Sequence, residues 1–236
     1  MTPARLTLSA AAATAAAYLI ARAADRAALP AAALGAQAEE PQAPVTDGST
    51  ALDYLNPWGA IERTAETFQT ERNMQDANTK AFLTMIAWAE GTERAPDPYR
   101  VVFGYGHTIQ DLSDHPAITG EWRGERLSDA MCRGAGLGPG CISTAAGRYQ
   151  MIRPTWLRAK RALGLDDFGP ASQDLAAVWL LRQRKAIPLI EQGRVAEAVA
   201  LARAEWASLP GNQAGQPQRR MTDLLTAYEV AGGTLA

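Results

Sequence analysis

Between residues 77 and 91 apolar side chains recur at helical spacing and stop at a glycine. Phe82, Leu83, Met85, Ile86 and Trp88 mark the repeat, and Asn78 or Thr79 is the expected N-cap. Gly91 is a natural stop, because glycine enters the left-handed conformation that ends a helix without steric cost. Residues 99–107 then turn β-branched and aromatic, with glycines at 104 and 106, which predicts a short strand or hairpin. A second short strand is expected over 147–152. Four helices follow, over about 154–163, 172–184, 194–206 and 217–231, the first stopped by Gly164 and the last by Gly232 and Gly233. One helix, a small sheet and then several helices describe an α+β fold, mostly helical, with sheet and helices segregated.

The last residue of the first helix is Glu90. A carboxylate there meets the negative end of the helix dipole and lies beside Trp88 and other apolar side chains. Both effects disfavour the charged form and raise the pKa. A glutamate still protonated near neutral pH is suited to hand a proton to a leaving oxygen. The plainer alternative is an ordinary exposed carboxylate at a helix end, and the rest of the chain decides between them.

Charge and the N-terminal region bound the setting. The formal net charge is −2, unevenly spread: residues 1–76 hold five basic and nine acidic side chains, so the remainder is mildly basic. That remainder has no basic stripe and no nucleic-acid motif, so a nucleic-acid partner is not expected. Residues 6–21 are free of charge and rich in alanine, short for the roughly 20 apolar residues of a full membrane span. They fit an uncleaved, weak signal anchor in residues 1–28 better than a cleaved signal peptide, with an alanine-rich soluble helix as the alternative. An anchor or a signal would export the protein to the periplasm, tethered to the inner membrane in the first case. Residues 29–76 read as a proline-bearing linker followed by a polar helix over about 61–73, and 77–236 as one compact domain. Cys132 and Cys141 face each other across a glycine-rich loop. Such a loop lets them meet as a disulfide, which suits an exported protein; two free thiols are the alternative.

Four segments stand in a fixed order: Ala87-Trp88-Ala89-Glu90-Gly91-Thr92 at the helix end, Ser113-Asp114-His115-Pro116, Ala146-Gly147-Arg148-Tyr149-Gln150, and Trp206-Ala207-Ser208-Leu209-Pro210-Gly211. Together, over roughly residues 78–233, they resemble the phage lambda lysozyme family of endolysin-type lytic transglycosylases. The resemblance implies a lysozyme-like fold with an active-site cleft beside the small sheet. It also implies cleavage of the β-1,4 bond between N-acetylmuramic acid and N-acetylglucosamine, with the muramyl 6-hydroxyl closing on the anomeric carbon to give a 1,6-anhydro end. Peptidoglycan glycan strands are then the partner, for phage-type host lysis, and a monomer is expected.

That chemistry agrees with the residues themselves. Hydrolytic glycosidases generally use two carboxylates, whereas only Glu90 stands in a motif-like setting here. A substrate hydroxyl already held beside the anomeric carbon replaces much of what a second carboxylate does. Glu93, Asp97, Asp111 and Asp114 are the other carboxylates in reach, and each reads as a loop charge or, for Asp114, a turn former ahead of Pro116. Gln150 and Tyr149 are the candidate sugar contacts, an amide for hydroxyl and N-acetyl groups and a ring for a pyranose face. Asp114 and Gln216 join them as candidate substrate-binding residues through the resemblance. The segment Ala214-Gly215-Gln216 departs from the family pattern, which carries an aromatic before Gly-Gln, and weaker groove contacts follow from the change. Arg148 is a candidate ion-pair partner. His107 and His115 lack a supporting carboxylate motif, so no metal and no cofactor are expected. A hydrolytic muramidase on the same scaffold and a non-catalytic wall-binding or virion protein are the alternatives.

Overall fold

The computed structural model describes residues 57–134, 136–206, 208–211 and 218–236. Its helices are α1 (Pro57–Met74), α2 (Ala77–Glu90), α3 (Pro116–Thr119), α4 (Asp129–Gly134), α5 (Arg153–Leu163), α6 (Pro170–Gln183), α7 (Ile187–Glu191), α8 (Val195–Ala202) and α9 (Met221–Val230). Two strands, β1 (Glu125–Arg126) and β2 (Ile142–Ser143), pair antiparallel, Glu125 with Ser143 and Arg126 with Ile142. The fold is α+β and mostly helical.

Helix α2 is the axis of the molecule. It is buried on nearly every side, with Phe82, Met85, Ile86, Ala87 and Ala89 all sealed from solvent, and it packs against α1, α6, α7 and α9. A helix apolar all round belongs in the middle of a domain. Its N-cap is Asp76, whose side chain accepts from the Thr79 backbone N–H at 2.7 Å, rather than Asn78 or Thr79. Asn78 is drawn instead to the chain end, accepting from the Thr234 N–H at 2.9 Å. At the other end Gly91 takes φ +83° and closes on the carbonyls of Ala87 and Trp88.

The polar helix expected before the domain is part of the same packed body. On α1, Thr67 donates to the Leu163 carbonyl, and Arg182 of α6 reaches both Thr70 Oγ1 and the Glu66 carboxylate. Across the boundary expected at residues 76/77, α1 packs against α5 and α6. Among the described residues no helix is long and apolar enough to cross a membrane; residues 6–21 lie outside them.

The sheet differs most from expectation. Segments 99–107 and 147–152 do come together, but only as isolated bridges, Val101–Thr108, Val102–Ala146 and Ala146–Met151. Gly104, Tyr105, Gly147 and Gln150 all take positive φ, which bends each segment out of a continuous ladder. Regular pairing moves to β1 and β2, whose hairpin encloses α4. There Cys132 and Cys141 form a disulfide, and with Phe103, Leu127, Ala145 and Ile152 they build a second small core apart from the main one. Helix α8 also stops short of 206: its chain turns at residues 203–205, and Trp206 leaves the helix to donate from Nε1 to the Tyr149 carbonyl at 3.1 Å.

A cross-link over so few residues removes mainly unfolded-state freedom. Reducing the Cys132–Cys141 bond is expected to cost about 2–3 kcal/mol, a fall of about 6 °C in the melting temperature by calorimetry with and without reductant.

Candidate functional site

Glu90 closes α2 with its carboxyl turned inward, only 5% exposed. Ser208 Oγ donates to its Oε1 at 2.8 Å. Burial pushes its pKa up from 4.5 to about 8, against the opposing effects of the Ser208 hydrogen bond and the positive charge of Arg219. Removing a carboxylate from water is costly, and one hydroxyl with one neighbouring cation does not restore its hydration. The group is therefore protonated at neutral pH and holds a transferable proton.

Three segments far apart in sequence build this environment. Gly91 lets the chain leave α2 sharply, and Thr92 fixes the exit by donating to the carbonyls of Ala87 and Arg148. The segment after α8 brings Ser208. Beyond it, the Arg219 backbone N–H donates to the Ser208 carbonyl, its Nε donates to the Ala89 carbonyl, and its guanidinium lies over the Trp88 ring at 4.9 Å. Such stacking holds a cation beside the acid without neutralising it. The third segment is the turn between the bridges, which carries Tyr105. Its hydroxyl lies 3.0 Å from where a β-carbon on residue 91 would sit, so glycine there also leaves room for the phenol.

The other candidates fall around this centre with different tasks. Tyr149 is 0% exposed, its hydroxyl bonded to Asp174 Oδ1 at 2.6 Å, so its ring offers no face to a sugar. Gln150 is 8% exposed and spends both amide protons on the carbonyls of Val101 and Gly147, holding the turn that its own positive φ helps to make. Asp114 accepts from Trp156 Nε1 at 2.6 Å and from Lys160 Nζ at 2.7 Å, and so ties the 113–116 turn to α5. The Tyr149 hydroxyl, the Gln150 amide protons and the Asp114 carboxylate are thus bonded within the fold. Gln216 lies outside the described residues.

Arg148 is the centre of a network of its own. It donates to Glu93 Oε1 at 2.5 Å, to the hydroxyls of Tyr99 and Tyr149, and to Thr84, with Asp174 at 3.7 Å. His115 is buried, its Nδ1 accepting from the Ala117 N–H and its Nε2 donating to the Met151 carbonyl; burial lowers its pKa to about 4, leaving it neutral. His107 pairs with Glu121 at 2.6 Å. Among the described residues no group of three His, Cys, Asp or Glu side chains is placed to hold a metal ion.

Ser208, Arg219 and Tyr105 escaped the reading of the sequence as site residues. Ser208 stands inside a recognised motif, but nothing local says that it turns toward a glutamate 118 positions earlier. Tyr105 passes for one more aromatic in a strand.

Known proteins align with this arrangement along most of the domain. A family model described as Endolysin matches residues 80–235. The endolysin of Escherichia phage lambda is 37% identical over 161 residues, covering 66% of this chain and 92% of the relative. That of Escherichia phage P2 is 37% identical over 167 residues, covering 67% and 95%. A solved structure of bacteriophage lambda lysozyme complexed with a chitohexasaccharide superposes with a TM-score of 0.56 at 35% identity, over 68% of this chain and 97% of that one. A second lambda lysozyme structure gives 0.55 at 33% identity over the same shares. Family model, relatives matched over nearly their whole length and a shared three-dimensional fold agree, and the chain belongs to the endolysin family.

Proposed function

We propose that the protein is a peptidoglycan lytic transglycosylase, cleaving between N-acetylmuramic acid and N-acetylglucosamine with Glu90 as its acid and base. The observation that carries this reading is the buried carboxyl at the end of α2, whose pKa burial raises to about 8. The chitohexasaccharide bound by the related lambda lysozyme supports a glycan strand as the ligand.

The steps balance on one residue. Glu90 gives its proton to the glycosidic oxygen as the bond to the anomeric carbon breaks, and N-acetylglucosamine leaves with a free hydroxyl. The muramyl 6-hydroxyl closes on that carbon, and its proton passes to the Glu90 carboxylate, restoring the acid. No water is consumed. During the interval Glu90 is charged, and the Ser208 hydroxyl and the Arg219 cation stabilise it. The four loop carboxylates that a hydrolase would draw on are engaged elsewhere. Glu93 pairs with Arg148, Asp97 caps the 98–100 turn and pairs with Arg100, Asp111 accepts from the Ser113 N–H, and Asp114 holds Trp156 and Lys160. That distribution favours the transglycosylase over the muramidase. The proposal includes export, with residues 6–21 as a weak inner-membrane anchor; their uncharged, alanine-rich composition supports it.

Mass spectrometry of muropeptides released from purified peptidoglycan by the full-length protein tests the chemistry. Ends one water lighter than reducing sugars are expected, and ends of full mass would establish hydrolysis instead. Ser208→Ala removes a hydrogen bond that holds the Glu90 pKa down. The alkaline limb of its pH–rate profile should move up by about one pH unit, with turnover reduced severalfold.

A further inference from the structure

Tyr105 combines three properties that no packing role requires together. It is a non-glycine residue at φ +57°, a conformation that crowds a side chain against its own backbone. The residue is 49% exposed, so burial does not repay that strain. Its hydroxyl lies over Gly91, and among the described residues it has no hydrogen-bond partner. Gly104 and Gly106 flank it, and a third glycine would satisfy the turn at no steric cost.

The surroundings give the strain a direction. Phe103 is buried in the small core that contains Cys132, with its N–H bonded to the Ala145 carbonyl, and this pins the root of the turn. The Tyr105 N–H closes the turn on the Val102 carbonyl at 3.1 Å. The phenol hydroxyl lies over Gly91, the residue after Glu90, with an Arg219 guanidinium nitrogen also near that position, and the charges of Glu90, Arg219 and Arg94 act on it. A strained residue held by an over-determined frame, set beside the residue that follows the acid and unbonded at its tip among the described residues, is arranged to meet a ligand.

We infer that Tyr105 is a substrate-contacting residue, its ring covering a sugar at the cleavage point and its hydroxyl bonding that sugar beside the Glu90 carboxyl. An exposed aromatic face suits the C–H face of a pyranose, and a phenol supplies one directed donor or acceptor. The inference rests on the glycan-cleaving reading above.

The test uses full-length Tyr105→Gly and Tyr105→Phe beside the wild type, each also carrying Glu90→Gln for binding. Affinity for chitohexasaccharide is followed by tryptophan fluorescence, and cleavage of peptidoglycan and melting temperature are measured on the proteins with Glu90 intact. Tyr105→Gly should weaken binding and lower kcat/KM by at least about tenfold, the loss of one good contact. Its melting temperature should stay level or rise by about 2 °C as the strain is released. Tyr105→Phe should keep most of the affinity and lose about threefold or more in turnover. Wild-type affinity in Tyr105→Gly, or a loss that only follows a fall in melting temperature, would overturn the inference. If the wild type cleaves peptidoglycan and Tyr105→Gly cleaves equally well, the contact fails and the enzyme reading stands. If the wild type binds the oligosaccharide through Tyr105 but cleaves nothing, the contact stands and the enzyme reading fails.

Discussion

Glu90→Gln is expected to abolish peptidoglycan cleavage, by about a thousandfold or more, while making the folded protein more stable in alkaline solution. The first effect follows from removing the proton donor, since general acids typically contribute factors of about 10²–10⁴. The second follows from burial. The Glu90 carboxyl ionises at about 8 in the folded protein and near 4.5 when exposed. Between those values the unfolded chain has released the proton and the folded chain still holds it, so the wild type loses stability as pH rises through this window. Below pH 4.5 the carboxyl is neutral in both states and the penalty vanishes; above pH 8 it is complete, on the order of 4–5 kcal/mol. Glutamine is neutral at every pH and its carbonyl can still accept from Ser208. Thermal melts of wild type and variant should therefore nearly coincide at pH 4 and diverge by about 10 °C at pH 9. Parallel curves across that range would mean that Glu90 ionises like a surface carboxylate, and its assignment as the acid would fall with them.

Arg148→Met should be the most damaging change away from Glu90. The guanidinium serves Glu93, Asp174 and two tyrosine hydroxyls at once, with Asp174 and Glu93 each largely enclosed. Methionine matches the stem but leaves two carboxylates facing each other without a cation. Removing one partner of a largely buried pair costs about 3–5 kcal/mol, because the remaining charge is stranded. Burial already pushes Asp174 upward against the hydrogen bonds of Tyr149 and Tyr99 and the charge of Arg148. Without Arg148 it rises further, so the variant should recover part of its stability in acid, where Asp174 is neutral. Urea unfolding at pH 7 and pH 5 reads both effects: a loss of about 3 kcal/mol or more at pH 7, and a smaller one at pH 5. Loss of the same size at both values would mean that the stem, not the charge, is what the site needs.

The helices were legible in the sequence because their signals are local. Gly91 and Gly164 end α2 and α5 where a left-handed residue was expected, and the apolar repeat of α2 runs through its whole length. The sheet was not legible, because strand pairing depends on partners far along the chain. The aromatic, β-branched run at 99–107 reads as a strand, yet its positive-φ residues turn it into a loop with bridges at its ends. The same distinction divides the site. Glu90 stands out because a helix end and its apolar neighbours are written within a few residues. Ser208 and Arg219 owe their positions to the packing of the C-terminal third on α2, which no short window contains. Tyr149, Gln150 and Asp114 carry groups that could equally hold a sugar or the fold, and residue type alone does not show that they bond Asp174, Gly147 and Lys160.

The burial that keeps Glu90 protonated, against the pull of Ser208 and Arg219, also has a meaning in time. A ribosome makes the chain from its N-terminus, so the acid emerges 118 residues before the hydroxyl that bonds it and 129 before the arginine whose charge reaches it. A nascent chain, or one cut short before residue 208, carries the glutamate in an unfinished setting, open to water and ionised like any other. The acid acquires its proton only when the last third of the chain has folded over the helix that bears it.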